Sequence, residues 1–199
     1  MLVKFLTISS AVLPMLFGTA FAADWRKEAV TKAVEFHTSN RPENCNAPDG
    51  ASKSPASFEL PVEEEAGKRT ALLVEFPCQI GAYNSTAVYL LSDEHGKVSE
   101  VLFPSPKIEA TYLGEGENAP VKDIIVTETQ SLREVVNPTY DADKRIMTER
   151  NKWRGVGDAY TLIKWDFNNG RFEIIHLSVD ASYDGKDDPQ TLIENGIWK

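Results

Sequence analysis

Short apolar segments separated by turns make up most of this chain, and this pattern constrains the fold more than any other feature. Several segments alternate apolar and polar residues, which is the spacing of a β-strand with one buried face. No helical pattern interrupts them, and short turn-linked strands without intervening helices favour an antiparallel sheet. The predicted strands are residues 69–76, 83–92, 97–103, 121–129, 132–136, 144–150, 159–167 and 171–178.

The clearest hairpin joins the last two of these strands. The turn between them ends in Asn169-Gly170, a pair that type I′ hairpin turns favour because both residues tolerate positive φ. A second hairpin is predicted around residues 93–96, and prolines bound residues 104–120. We therefore expect one β core, with a division into two β subunits near 104–120 as the alternative.

One amphipathic helix precedes the strands. Residues 24–39 carry a single apolar stripe at helical spacing, Asp24 can cap the start, and Pro42 follows the end. Residues 41–57 are rich in Asn, Pro and Ser and are predicted to form a loop. The sequence thus favours an α+β fold, in which an N-terminal helix packs against a mainly antiparallel β core of hairpins. An all-β sandwich is the alternative.

The first 22 residues have the composition of an export signal. Lys4 supplies a basic start, residues 5–17 are mostly apolar, and Ala20-Phe21-Ala22 matches a small-x-small cleavage site. The apolar run is too short to span a bilayer comfortably, and no later segment could span one. We expect cleavage after Ala22, a single domain over residues 23–199, and a periplasmic or secreted location.

The chain is acidic. It has 21 basic and 30 acidic side chains, and loss of residues 1–22, which include Lys4, would leave a net charge of 20 − 30 = −10. Nucleic acid is not an expected partner, because affinity for it depends on Lys and Arg at the phosphates. An acidic surface steers cationic partners instead, so the expected partner is a cationic protein or an envelope component.

Both cysteines, Cys45 and Cys78, lie in the predicted mature part. Two cysteines in an oxidising compartment usually pair, and the sequence has no Cys-x-x-Cys and no nearby His at the spacing of a zinc site. We predict a structural disulfide that docks the loop around Cys45 onto the β core.

Two Gly-containing motifs are more specific than the rest of the sequence. The first is residues 77–84, Pro-Cys-Gln-Ile-Gly-Ala-Tyr-Asn, and the second is residues 154–158, Arg-Gly-Val-Gly-Asp. Together they resemble an exported bacterial group, the domain-of-unknown-function 1176 family, over residues 69–103 and 149–199. The family is typically longer and richer in cysteine, and Ala159 stands where it has a cysteine. The resemblance implies a compartment and a fold but no activity.

The two motifs have two interpretations. In the first interpretation the motifs only shape backbone turns, since glycine allows conformations that other residues avoid and Asn or Asp can accept hydrogen bonds from turn amides. In the second they form a ligand groove between two Gly-rich corners, where four side chains converge. The candidate binding residues are then Tyr83, Asn84, Arg154 and Asp158.

No established catalytic motif is present, neither a nucleophile elbow nor a zinc-protease, phosphate-binding or dinucleotide-binding motif. The sequence predicts no catalytic residue, no metal site and no cofactor. An active site would need a pocket that brings His176 together with Tyr83 or Asp158. The sequence therefore favours a non-enzymatic binding or envelope-accessory protein, with inhibition of a cationic enzyme as one specific form. The alternative is a hydrolase-like enzyme acting on an envelope polymer or small molecule.

Overall fold

The structure is a computed structural model that describes residues 18–46, 55–64, 67–116, 119–168 and 170–199. Its one helix among these residues, α1, spans Gly18–Asn40. It begins six residues before the predicted start, because the Ala-rich residues before Asp24 favour helix, so Asp24 lies inside the helix and does not cap it. The helix ends before Pro42, as predicted. The predicted export signal lies largely outside the described residues.

Thirteen strands follow the helix in the described part of the chain, and every pairing between them is antiparallel. They are β1 Ala56–Glu64, β2 Gly67–Ile80, β3 Ser85–Asp93, β4 Val98–Glu100, β5 Phe103–Tyr112, β6 Val121–Leu132, β7 Glu134–Val136, β8 Thr139–Asp141, β9 Ile146–Lys152, β10 Tyr160–Asn168, β11 Arg171–Asp180, β12 Gln190–Glu194 and β13 Ile197–Trp198.

The first sheet has the order β1-β2-β3-β4, and β7 also pairs with β3. The short strands β4 and β7 pair with two successive parts of β3. β4 pairs with residues 90–92 and β7 with residues 86–88. The chain between them leaves the sheet as the β5–β6 hairpin, which is a separate two-stranded sheet. This excursion carries β5 across to the second sheet.

The second sheet has the order β13-β12-β11-β10-β9-β8, so each of its strands lies beside the next one in the chain. The predicted hairpin at Asn169-Gly170 is confirmed as β10 and β11, whose ends pair at Asn168 and Arg171. The β5–β6 hairpin is tied to this sheet at two places. The indole N–H of Trp165 donates to the carbonyl of Pro104 at 2.8 Å, and the hydroxyl of Tyr112 donates to the carbonyl of Ala181 at 3.1 Å.

Two apolar clusters hold these layers together. The larger joins the first sheet, the hairpin and the second sheet, and its largest fully buried members include Leu73, Tyr89, Phe103, Trp165 and Phe167. The smaller lies on the other face of the first sheet, beneath the helix; it contains Ala29, Ala33, Cys45, Leu72, Val74, Phe76, Cys78, Val88 and Leu90. The predicted fold class, one helix on antiparallel sheets, is confirmed.

Two local predictions were wrong. Pro104 and Pro106 do not bound a connecting segment but lie within β5, and β1 begins inside the predicted loop 41–57. Both strands lie at a sheet edge. An edge strand tolerates a proline, because one side of the strand has no neighbour that needs the missing N–H. The assignment of residues 23–199 to a single domain stays a prediction.

The predicted disulfide between Cys45 and Cys78 is present, with 4.2 Å between the two Cα atoms. It joins the segment after α1 to β2, and both residues are buried in the cluster beneath the helix. A disulfide buried in the core indicates an extracytoplasmic protein. Within the described residues, no helix is both long and apolar enough to cross a membrane.

Candidate functional site

The first motif forms the tight turn between β2 and β3. The amide of Gly81 donates to the carbonyl of Asn84 at 2.8 Å. A Cβ at position 81 would lie 2.9 Å from that carbonyl oxygen, closer than real Cβ atoms approach a backbone atom. Glycine is therefore required here by the close approach of the two backbone segments.

The side chain of Asn84 connects this turn to β9. Its Nδ2 donates to the carbonyl of Lys152 at 2.9 Å and to Oδ1 of Asn151 at 3.3 Å. Its Oδ1 accepts from Nδ2 of Asn137 at 2.6 Å. Asn137 itself has a positive φ of 44° and donates to the carbonyl of Arg150 at 2.9 Å. Asn84 thus holds the first and second sheets together where β9 ends.

The second motif is a loop closed by an ion pair. Nε of Arg154 donates to Asp158 at 2.8 Å, and the same guanidinium donates to the carbonyl of Tyr183 at 2.9 Å. The buried Asp158 carboxylate also accepts from the amides of Ala159 at 3.0 Å and Gly185 at 3.1 Å. The hydrogen bonds from Arg154 hold the pKa of Asp158 well below its usual range. This loop is therefore fixed by a charge-assisted network.

The two motifs meet, as one interpretation of the sequence expected. The ring of Tyr83 packs beside Gly155, with Cδ1 3.6 Å from the position of a Cβ on that glycine. The ring remains 44% exposed, whereas the polar atoms of Asn84, Arg154 and Asp158 form hydrogen bonds with neighbouring side chains and backbone of the protein. No contact in the described part of the chain joins His176, which pairs with Lys164 on β10, to Tyr83 or Asp158. Ligand binding by the four candidate residues stays a prediction.

A cleft of about 210 Å³ lies next to this junction, between β5 and the inner face of the second sheet. It lies directly beyond Asn151, the residue that Asn84 contacts. The lining residues are Ser105, Pro106, Ile108, Glu149, Asn151, Trp153, Thr161 and Ile163. Asn84 therefore contacts one wall of the cleft, and none of the four candidate residues lines it.

Glu149 is the most unusual residue of the cleft. Its side chain points inward from β9 and is only 7% exposed. The hydrogen bond described for its carboxylate comes from the amide of Val136, at 2.9 Å. Burial raises the pKa of Glu149 to about 7, against the partial compensation from that amide. A carboxyl group in such a position is a sign of a functional site, because a purely structural core disfavours it.

The rest of the cleft presents an aromatic ring and further acceptors. The indole N–H of Trp153 donates to Oγ1 of Thr161 at 3.1 Å, so the Trp153 ring is fixed in orientation at the half-buried rim. The hydroxyl of Thr161 keeps its own proton and a second lone pair, and the amide of Asn151 keeps an acceptor lone pair. The arrangement suits a small ligand with polar hydrogens.

A second cavity, of about 140 Å³, lies at the far end of the first sheet beside Arg69 and Asp93. Its two charged groups pair with each other at 3.2 Å, so their interactions are largely satisfied within the protein. This makes it a weaker candidate than the cleft at Glu149.

Glu149 and its neighbours in the cleft were not among the site residues predicted from the sequence. A signal for three of them, Glu149, Asn151 and Trp153, was present, and none for Thr161. In the strand predicted at residues 144–150, alternation from the apolar Met147, continued beyond its end, places residues 149, 151 and 153 on the same inward face. Glu149 then becomes a carboxylate at a core position, which is informative because such residues are rarely buried without a partner.

We predict that Asn84→Ala lowers the free energy of unfolding by about 2 kcal/mol, because it removes several bonds and leaves the carbonyl of Lys152 without its side-chain donor. The melting temperature should fall by roughly 4–8 °C, and hydrogen exchange should increase in β9. Asn46→Ala, at an exposed position, is the control. Equal effects of the two variants would contradict the proposed role of Asn84.

The fold and the site together define a disulfide-linked, helix-bearing antiparallel β protein with a small polar cleft. The family model described as protein of unknown function (DUF1176) matches residues 19–189, so the chain belongs to this family and the resemblance found in the two motifs is confirmed. No curated protein matches the chain, and no solved structure matches it either.

Proposed function

We propose that this protein is an exported, non-enzymatic binding protein that takes a small polar ligand, or one end of a larger one, into the cleft between β5 and β9. The observation that carries this proposal is the buried carboxyl group of Glu149 at a cleft lined by further hydrogen-bonding groups. A core without a ligand would gain stability from an apolar residue at this position. Export is supported by the predicted signal at residues 1–22 and by the disulfide.

The size of the cleft limits the ligand. Its 210 Å³ is below the roughly 300–1,000 Å³ of pockets that enclose a whole drug-sized molecule. A single six-membered ring or the end of a chain is therefore the expected occupant. The ring of Trp153 offers such a group a flat apolar surface, while Asn151 and Thr161 offer hydrogen bonds.

Hydrolysis is the second candidate, because a carboxyl group with a pKa of about 7 is suited to act as a general acid or base. Glycoside hydrolysis generally needs two carboxyl groups across the cleft. Among the described residues that line the cleft, Glu149 is the only one with a carboxyl group, which favours binding over catalysis. Only the negative net charge supports a function as an inhibitor of a cationic enzyme.

The proposal is tested by blocking the cleft. We expect Ser105→Trp, which places a large ring in the cleft, to abolish binding of small cyclic alcohols and amines. Ser131→Trp is the matched control, because Ser131 is exposed on the same hairpin, outside the cleft. Binding is followed at the indole N–H signal of Trp153 by NMR, with the signal assigned through Trp153→Phe. Binding that survives in Ser105→Trp would contradict the proposal.

A further inference from the structure

We propose that the cleft between β5 and β9 recognises the ammonium group of a small organic amine, with the carboxylate of Glu149 as its counter-ion. This inference rests on the proposed function and adds the chemical class of the ligand. It is carried by the distribution of charge in the cleft, by the set of acceptors and by the position of Trp153.

Among the described residues that line the cleft, the only charged side chain is the acidic Glu149. Of the described residues that line the cleft, none is Lys, Arg or His, and β5 and β10 contribute no titratable group there. On β9 the neighbouring cations point outward by alternation, and Arg150 lies over the ring of Tyr160 with its guanidinium carbon 3.8 Å from the ring centroid. Lys107 of β5 is exposed and pairs with Glu128. An ionised Glu149 thus has no counter-ion within the cleft, and a cationic ligand would supply one.

The acceptors match an ammonium group. A primary ammonium has three N–H donors and no acceptor. The cleft is lined by Glu149, Thr161 and Asn151, whose side chains carry a carboxylate, a hydroxyl and an amide oxygen. Thr161 on β10 lies opposite Asn151 on β9, and Glu149 is two residues before Asn151. The ring of Trp153 beside them can add a cation–π contact. An anionic ligand would face the carboxylate of Glu149 without a compensating cation.

A metal ion is a poorer match to the same residues. Hard cations such as Ca²⁺ take six to eight oxygen ligands, and several are usually carboxylates. The described residues contain no group of three or more His, Cys, Asp or Glu side chains placed to hold a metal ion. The single carboxylate with neutral acceptors and an aromatic ring favours an organic cation.

Three compounds that differ in one substituent separate the possible outcomes. They are trans-4-aminocyclohexanol, the neutral trans-1,4-cyclohexanediol and the anionic trans-4-hydroxycyclohexanecarboxylate, each titrated at pH 8 against the indole signal of Trp153. We expect the amine to bind at least about tenfold more tightly than the diol, which is the discrimination that one charge-assisted bond gives, and the carboxylate not to bind.

Glu149→Gln should remove the preference for the amine, and the amine should bind the wild-type protein about tenfold more weakly at pH 6 than at pH 8, since protonation of Glu149 removes the counter-ion. Glu109→Gln, at an exposed position on β5, should change neither result. Equal binding of diol and amine would overturn the ammonium assignment and leave the binding function standing. Absence of binding by all three compounds would overturn both.

Discussion

Replacing Cys78 by Ser is expected to lower the free energy of unfolding by about 3–4 kcal/mol. The bond joins residues 33 positions apart, and this is the loop-closure entropy that a cross-link of that length removes from the unfolded chain. Both cysteines are buried beneath α1, so the variant also places a polar hydroxyl in an apolar cluster. For a chain of this size the melting temperature should fall by roughly 6–16 °C.

Local unfolding of the Cys78→Ser protein should begin in the segment that the disulfide attaches. Cys45 is the attachment of the segment after α1 to β2, so limited proteolysis should cut within residues 41–57 before the β core. The double variant Cys45→Ser/Cys78→Ser separates the missing bond from the effect of a free thiol. An oxidised wild-type protein that melts at the same temperature as the double variant would show that the bond contributes no stability.

Replacing Glu149 by Gln is expected to stabilise the protein at pH 8, by up to about 3 kcal/mol. This is the cost of ionising a carboxyl group whose pKa burial raises from 4.5 to about 7. Gln keeps an oxygen that can accept the amide of Val136 and carries no charge at any pH. A substitution in the cleft that raises stability would be typical of a residue retained for function.

The size of this effect depends on pH. Because the folded protein holds the Glu149 proton more tightly than the unfolded chain, the contribution of Glu149 is most favourable below pH 4.5. It declines between pH 4.5 and about 7 and stays unfavourable above. Glu149→Gln should therefore match the wild type more closely at pH 5 than at pH 8. Denaturant unfolding of the wild type and Glu149→Gln at pH 5 and pH 8 measures this difference.

His37 also makes the stability of both proteins depend on pH. Burial and the nearby Arg41 lower the pKa of His37, so His37 costs stability as the pH falls below about 6.5. Both proteins carry His37, and its effect cancels in their difference. Glu109→Gln, on the exposed side of β5, should show no such dependence. A Glu149→Gln protein less stable than the wild type at pH 8 would mean that the ionised carboxylate has a stabilising partner.

Much of the fold follows from local patterns. The helix, most of the strands of the first and second sheets and the β10–β11 hairpin could be predicted because apolar spacing and turn residues act over a few positions. The predictions failed at the start of β1, which falls in the predicted loop 41–57, and at β5, where Pro104 and Pro106 suggested a connecting segment. Whether a proline is allowed in a strand depends on whether its N–H side faces another strand, and only the sheet order decides that.

The features of the candidate site also fall into those that local sequence predicts and those that it does not. From the sequence we could predict the disulfide partners, the family and the two Gly-containing motifs that hold Asn84 and Asp158, because each depends on residue types within a short motif or on a pair of cysteines. The contact of Asn84 with the wall of a cleft and the burial of Glu149 in that cleft became visible in the tertiary structure alone. The cavity forms because β5 packs on the inner face of the second sheet and brings Ser105 beside Glu149, and the pKa of a carboxyl group responds to the surroundings that such packing creates.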